Sequence, residues 1–181
     1  MTKKTLFFVA ALIPEPFRDE VRAFQEYASE HFHSVAALRI MPHITLVPPF
    51  DASEAQVDKI TDALKYVGNS QKQFEISLNG FGSFGKHVIY IQVTGAKELK
   101  VLADALGDAL RKRGVPVKQE TRLIHPHVTV AYKDLGTEVF DEAFGHFSHL
   151  PFSGKFVLDS FMLLRFQHGH WREMQAFPLA E

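Results

Sequence analysis

Residues 42–47 read PHITLV and residues 126–131 read PHVTVA, the same phrase written twice, 84 positions apart. On a β-strand, side chains at i and i+2 point to one face. His43 and Thr45 therefore share a face, while Ile44 and Leu46 belong to a core on the other; His127 and Thr129 stand likewise against Val128 and Val130. Each phrase describes a half-buried strand that shows one imidazole and one hydroxyl to a common space. A fold that writes such a strand twice has to bring two similar units together.

The rest of the chain supports that reading. Leu6–Ile13 is a short apolar strand, and Pro16 opens a helix over 16–32 carrying Phe17, Val21, Phe24 and Ala28 at helical spacing. The strand His43–Phe50 is followed by the capping-box pattern Ser53-x-x-Gln56 and a helix with Val57, Ile60, Leu64 and Val67 on one face, stopped at Gly68-Asn69. The alternation of Phe74, Ile76 and Leu78 predicts a strand, as does Val88–Val93. A helix with Leu99, Leu102, Leu106 and Leu110 on one face ends before Gly114. After the strand His127–Tyr132, Thr137 is expected to cap a short helix with Phe140, Phe144 and Phe147. A long strand near 153–166, a turn at His168-Gly169-His170 and a last strand near 171–178 complete the chain.

Each half thus runs strand, helix, PHxT strand, capped helix, strand. The expected fold is α/β of the α+β kind: two pseudo-symmetric lobes, each an antiparallel-rich sheet with helices packed outside, around a central cleft. The 181 residues suit a single domain with lobes near 5–80 and 87–167 and C-terminal strands over 153–178 completing the sheets.

Composition excludes several classes. With no cysteine, disulfides, a Cys-based zinc site and a thiol nucleophile are ruled out. The 20 Lys and Arg against 21 Asp and Glu leave no basic excess for coating nucleic acid, so any RNA footprint is small, such as a terminal nucleotide. The apolar run after the N-terminal lysines stops at Pro14-Glu15-Pro16 without a convincing cleavage site, and no stretch reaches membrane-spanning length. A soluble cytoplasmic protein is expected. The GFGSFG at 80–85 fits the spacing of a dinucleotide fingerprint, but the strand-like HVIYIQV follows it where that fingerprint needs a helix. It reads as a hairpin connection.

Across a cleft, two imidazoles provide one proton acceptor and one proton donor near neutral pH. Thr45 and Thr129 donate to non-bridging phosphate oxygens between them. That arrangement suits breaking a P–O bond whose leaving group needs a proton. His125 and His127 form H-x-H, a metal-ligand spacing, but no carboxylate partner is evident, and no metal or other cofactor is expected. His125 instead orients or tunes the cleft, or lies exposed at its mouth. His168 and His170 are surface turn residues or substrate contacts at the cleft edge.

The two H-aliphatic-T-aliphatic motifs, with VIYIQV and the C-terminal LLRF…W…FPL around Trp171, resemble the two-histidine (2H) phosphoesterase superfamily. Within it they resemble the 2'-5' RNA ligase-like proteins and RNA 2',3'-cyclic phosphodiesterases. The resemblance implies that His43 and His127 are the catalytic pair and that Thr45 and Thr129 bind phosphate. It implies hydrolysis of a 2',3'-cyclic phosphate on an RNA end or small nucleotide to a 2'-phosphate, with 2'-5' RNA ligation as the reverse; His127 is the expected base and His43 the expected acid. Phe50, His125, Tyr132 and Lys133 are candidate substrate contacts, although strict alternation turns Tyr132 away from the face of His127. Many relatives carry a basic residue shortly after the second motif; this chain departs from that pattern, offering Tyr132 and Lys133 instead, with Lys133 facing the cleft if the strand continues. A monomer is expected, since fused lobes complete the site. The alternatives are a module that binds a nucleotide or RNA end without turnover, and a metal hydrolase built on His125 and His127.

Overall fold

The computed structural model describes residues 4–94, 96–118 and 125–181. In chain order the elements are β1 (Lys4–Leu12), α1 (Phe17–Phe32), β2 (His43–Ser53), α2 (Val57–Ser70), β3 (Phe74–Phe84), β4 (Val88–Thr94), α3 (Ala96–Lys112), β5 (His127–Tyr132), α4 (Phe140–Ser148), β6 (Ser153–Leu158), β7 (Ser160–Gln167) and β8 (His170–Pro178). A 3-10 turn over Ala36–Arg39 precedes β2. The strands form two antiparallel sheets of order β2-β1-β7-β8 and β5-β4-β3-β6. The architecture is α+β, with two sheets of like topology.

The likeness extends to register. In the first sheet Ala10 pairs with Thr45 and Leu12 with His43; in the second Tyr90 pairs with Thr129 and Gln92 with His127. Both motif strands are sheet edges, and β2 lies against β5. A β-bulge interrupts each motif strand at the same place. Val9 pairs with Val47 but Ala10 with Thr45, leaving Leu46 as the extra residue; Ile89 pairs with Ala131 but Tyr90 with Thr129, leaving Val130. A bulge inserts one residue into one strand and resets its alternation. Hence Leu46 and Val47 are both buried, as are Val130 and Ala131.

Sequence patterning misplaces some of these elements. The long strand expected near 153–166 is two strands in different sheets, β6 and β7, broken at Asp159. The apolar pattern runs through that break without Gly or Pro to mark it. The lobe ranges 5–80 and 87–167 do not divide the sheets: β3 pairs in the sheet of β4 and β5, while β7 and β8 complete the sheet of β1 and β2. The capping box does form at Ser53, whose backbone N–H donates to Gln56 Oε1 at 3.0 Å, with a 3-10 turn leading into α2. Thr137 does not cap α4; Val139 holds that position, with no side-chain cap bond.

One hydrophobic core runs through both sheets. Phe24 of α1 sets its ring edge-on to Phe81, Phe147 and Phe152, all in the second half of the fold, at 5.1–6.3 Å between centroids. The units are joined by shared core, which fixes the two motif strands relative to each other. Among the described residues no helix is long and apolar enough to cross a membrane.

Candidate active site

His43, Thr45, His127 and Thr129 line one cleft of about 460 Å³. The cleft forms where the two edge strands meet, so each strand delivers its motif face to the same space. Both imidazoles are anchored in the same way. His43 Nδ1 lies 2.7 Å from the Met41 carbonyl oxygen and His127 Nδ1 lies 2.9 Å from that of His125. Only an Nδ1–H can donate there, so in each neutral ring Nε2 keeps its lone pair. In both cases the acceptor is the residue before the motif proline.

The surroundings of the two rings differ. Phe8 meets His43 edge-on at 5.3 Å, and Trp171 packs edge-on to Phe8 at 4.6 Å. Burial pushes His43 down to about 4; its bond to Met41 works the other way, and a charge on His127 adds to the depression. His127 is also lowered, by burial and then by the His125 charge, against the raising effect of its own backbone bond. His43 is shifted the further of the two. Burial disfavours the charged form of an imidazole, which is the physical cause in both.

The loops around the cleft are tied across the two halves. The Asp134 carboxylate accepts from Ser34 Oγ at 3.0 Å, Val35 N–H at 3.0 Å and Ala36 N–H at 2.9 Å. It thereby fastens the start of the 36–39 turn to the end of β5. Arg22 donates to the carbonyls of Leu38 and Ile40 at 3.3 and 3.0 Å, bracing the approach to β2. Gln25, 2% exposed, donates from Nε2 to the Thr129 carbonyl at 2.9 Å, while its Oε1 has no partner among the described residues.

Other sequence candidates are placed as follows. Lys133 lines the cleft, and so does Tyr132, because the bulge at Val130 restores it to the face of His127 and Thr129. Phe50 does not reach the cleft. It is 5% exposed and stacked on Phe7 in the core, with Pro49 taking the cleft edge. The His125 ring turns to Tyr90 rather than lining the cleft, with Nε2 3.1 Å from the phenol oxygen. Among the described residues no three His, Asp or Glu side chains gather as a metal-ligand set. Of the histidines flanking Gly169, neither lines the cleft, whereas Gly169 itself does.

Other cleft residues lie outside the two repeated motifs: Phe166 and Trp171 belong to the C-terminal LLRF…W pattern, while Phe8, Gln25 and Arg39 carry no motif. Arg39 lines the cleft from the 3-10 turn, and Phe8, Phe166 and Trp171 form an aromatic wall. Gln25 had a readable signal: it is a polar residue on the buried stripe of α1, between Val21 and Ala28. Arg39 had none, since its place depends on a loop that Arg22 and Asp134 hold.

Two like sheets with paired His and Thr side chains at facing edges define a two-histidine phosphoesterase type of fold. The family model of the 2'-5' RNA ligase superfamily matches residues 13–170, and the chain belongs to that superfamily. Among its relatives, a Bacillus cytotoxicus protein provisionally named a phosphoesterase is 28% identical over 145 residues, covering 78% of this chain and 81% of its own. One from Staphylococcus aureus (strain Newman), named likewise, is 26% identical over 176 residues, covering 94% and 97%. Among solved structures, E. coli LigT in apo form superposes with a TM-score of 0.70 at 18% identity, covering 99% of this chain and 100% of LigT. LigT complexed with 3'-AMP gives 0.68 at 19%, with the same coverage.

Proposed function

We propose that the cleft hydrolyses the 2',3'-cyclic phosphate of an RNA end or small nucleotide to a 2'-phosphate, using the protein's own side chains. The observation that carries this is the matched anchoring of two imidazoles, Nδ1 to a carbonyl in each, so that both present Nε2 to one cleft beside two hydroxyls. Membership of the superfamily supports a phosphodiester as the bond attacked, and the 3'-AMP held by LigT supports a nucleotide as its carrier.

His43, the further shifted towards neutrality, serves as the base, and His127 as the acid, the reverse of the sequence-based assignment. Water attacks phosphorus as its proton passes to His43 Nε2. The P–O3' bond breaks, and the 3' oxygen takes the proton from His127 Nε2. Thr45 and Thr129 hold the non-bridging oxygens and steady the charge that builds on them. Exchange with solvent restores both rings. With the 5'-hydroxyl of an RNA end in place of water, the same path forms the O5'–P bond as P–O3' breaks and leaves a 2'-5' linkage. Both halves of one chain complete this site, so the active unit is a monomer.

Product analysis by phosphorus NMR over a panel of cyclic nucleotides tests the reading. His43→Ala and His127→Ala should each reduce kcat by roughly 10²–10⁴-fold, and EDTA should leave the wild type unaffected. Full activity in either variant refutes it. Tight binding without product across the panel would assign the cleft to a binding module instead.

A further inference from the structure

The GFGSFG stretch that fails as a dinucleotide fingerprint has another use. Its residues run along β3 beside Tyr90 of β4, with Gly82 paired to Tyr90. A Cβ on Gly82 would fall 2.8 Å from the Tyr90 ring, so the absence of a side chain there lets the ring lie flat over the strand. Phe84 stacks on Tyr90 at 4.3 Å and meets both His125 and His127 edge-on, at 5.3 and 5.0 Å. Tyr90 itself is 6% exposed.

From this seat the Tyr90 hydroxyl bonds His125 Nε2 at 3.1 Å, and the His125 carbonyl receives the Nδ1–H of His127 at 2.9 Å. The side chain of His125 is thus held by one partner while its backbone holds the next. Among the described residues no such phenol–imidazole pair stands behind His43. By register, Tyr90 corresponds to Ala10, Gly82 to Met162 and Phe84 to Leu164, and Met41 takes the place of His125. There the carbonyl-bearing segment is braced by Arg22 through the neighbouring Leu38 and Ile40 carbonyls. The two halves fix the same backbone-to-imidazole bond by different means.

We propose that Tyr90, seated on Gly82 and Phe84, is a positioning residue for His127: acting through His125, it holds the carbonyl that fixes which His127 nitrogen faces the cleft. Without the phenol bond, His125 is free to turn, its carbonyl leaves Nδ1, and the ring spends time with Nε2 protonated or misdirected. The kinetic consequence rests on the phosphodiesterase reading; the tautomer does not.

The test is Tyr90→Phe, which keeps the ring on Gly82 and removes only the hydroxyl. Nitrogen-15 spectra of the histidine rings above their titration range should show His127 protonated at Nδ1 in the wild type and a gain of the Nε2–H tautomer in the variant, with His43 unchanged. On a 2',3'-cyclic nucleotide, kcat should fall about tenfold with KM within about twofold. His125→Ala should do the same, and the double variant should be no worse than either single one, because both act through one bond. An unchanged His127 tautomer in Tyr90→Phe, or losses that add in the double variant, overturns the proposal. If Tyr90→Phe does not fold, His125→Ala at its exposed position gives the same readouts. If the wild type turns over no cyclic phosphate, the functional reading fails, and the nitrogen-15 result still decides the positioning role.

Discussion

Replacing His43 by Asn should flatten the acid limb of the protein's stability. The folded His43 titrates at about 4 against an ordinary 6.5, chiefly through burial. The unfolded chain therefore takes up this proton first as the pH falls. The contribution of His43 is fully present above about 6.5, declines as the pH drops, and levels off below about 4. Each pH unit within that window is worth about 1.4 kcal/mol. Between pH 7 and pH 4 the group accounts for about 3 kcal/mol. Other groups titrate in the same range, so the useful quantity is a difference of differences. Urea unfolding at both pH values should show the wild type losing about 3 kcal/mol more than His43→Asn. Equal losses in the two proteins would mean that the folded site does not resist protonation, and the assignment of His43 as base would lose its physical ground. His127→Asn gives a second arm. A charge on His127 contributes to the depression, so its removal should raise the folded His43 titration and shrink the gap.

Thr129→Ala and Thr45→Ala should each lower kcat by roughly 10²-fold, the scale for losing one donor to developing oxyanion charge, with Ser restoring most of it; steady-state kinetics decides. Asp134→Ala removes three hydrogen bonds that fasten the 36–39 turn across the cleft. Because Asp134 is exposed, the stability cost by urea unfolding should be only about 1–2 kcal/mol, accompanied by a raised KM. Lys133→Ala should raise KM and leave kcat in place, with the difference shrinking as salt is added.

The repeated phrase carried the architecture because its spacing survives folding. Residues 84 apart occupy matching register positions in matching sheets, down to the bulge residues Leu46 and Val130. Those bulges had a trace in the sequence. Each motif ends in two adjacent apolar residues, Leu46-Val47 and Val130-Ala131, where a simple half-buried strand would alternate. Strict alternation misplaced Tyr132 because the period resets there. The pairing of β6 and β7 with different sheets was not legible, since strand partners are chosen by the whole core and Asp159 alone marks the switch. Arg39 and the aromatic wall of Phe8, Phe166 and Trp171 come from elements distant in sequence. Their convergence depends on how the sheets pack, which no local pattern encodes.

A duplicated strand presents a cleft with two equal imidazoles, yet the proposed hydrolysis of a phosphate between them needs one acceptor and one donor. Equal rings in equal settings would share the same proton affinity, and neither role would be assigned. The difference has to come from what stands behind each ring. His43 is backed by Phe8 and Trp171, an apolar wall that leaves it the further shifted towards neutrality. His127 is backed by Phe84, Tyr90 and His125, where a second imidazole and a phenol bring polar atoms close. The repeat sets the geometry, and in the proposed mechanism the residues behind it, which are not repeated, set the direction of proton flow. Exchanging the backing residues should therefore move the roles more readily than exchanging the motifs. A Phe8→Tyr substitution that places a phenol beside His43 should raise the His43 titration from about 4, as followed by carbon-13 NMR of the imidazoles. No movement would place the asymmetry elsewhere.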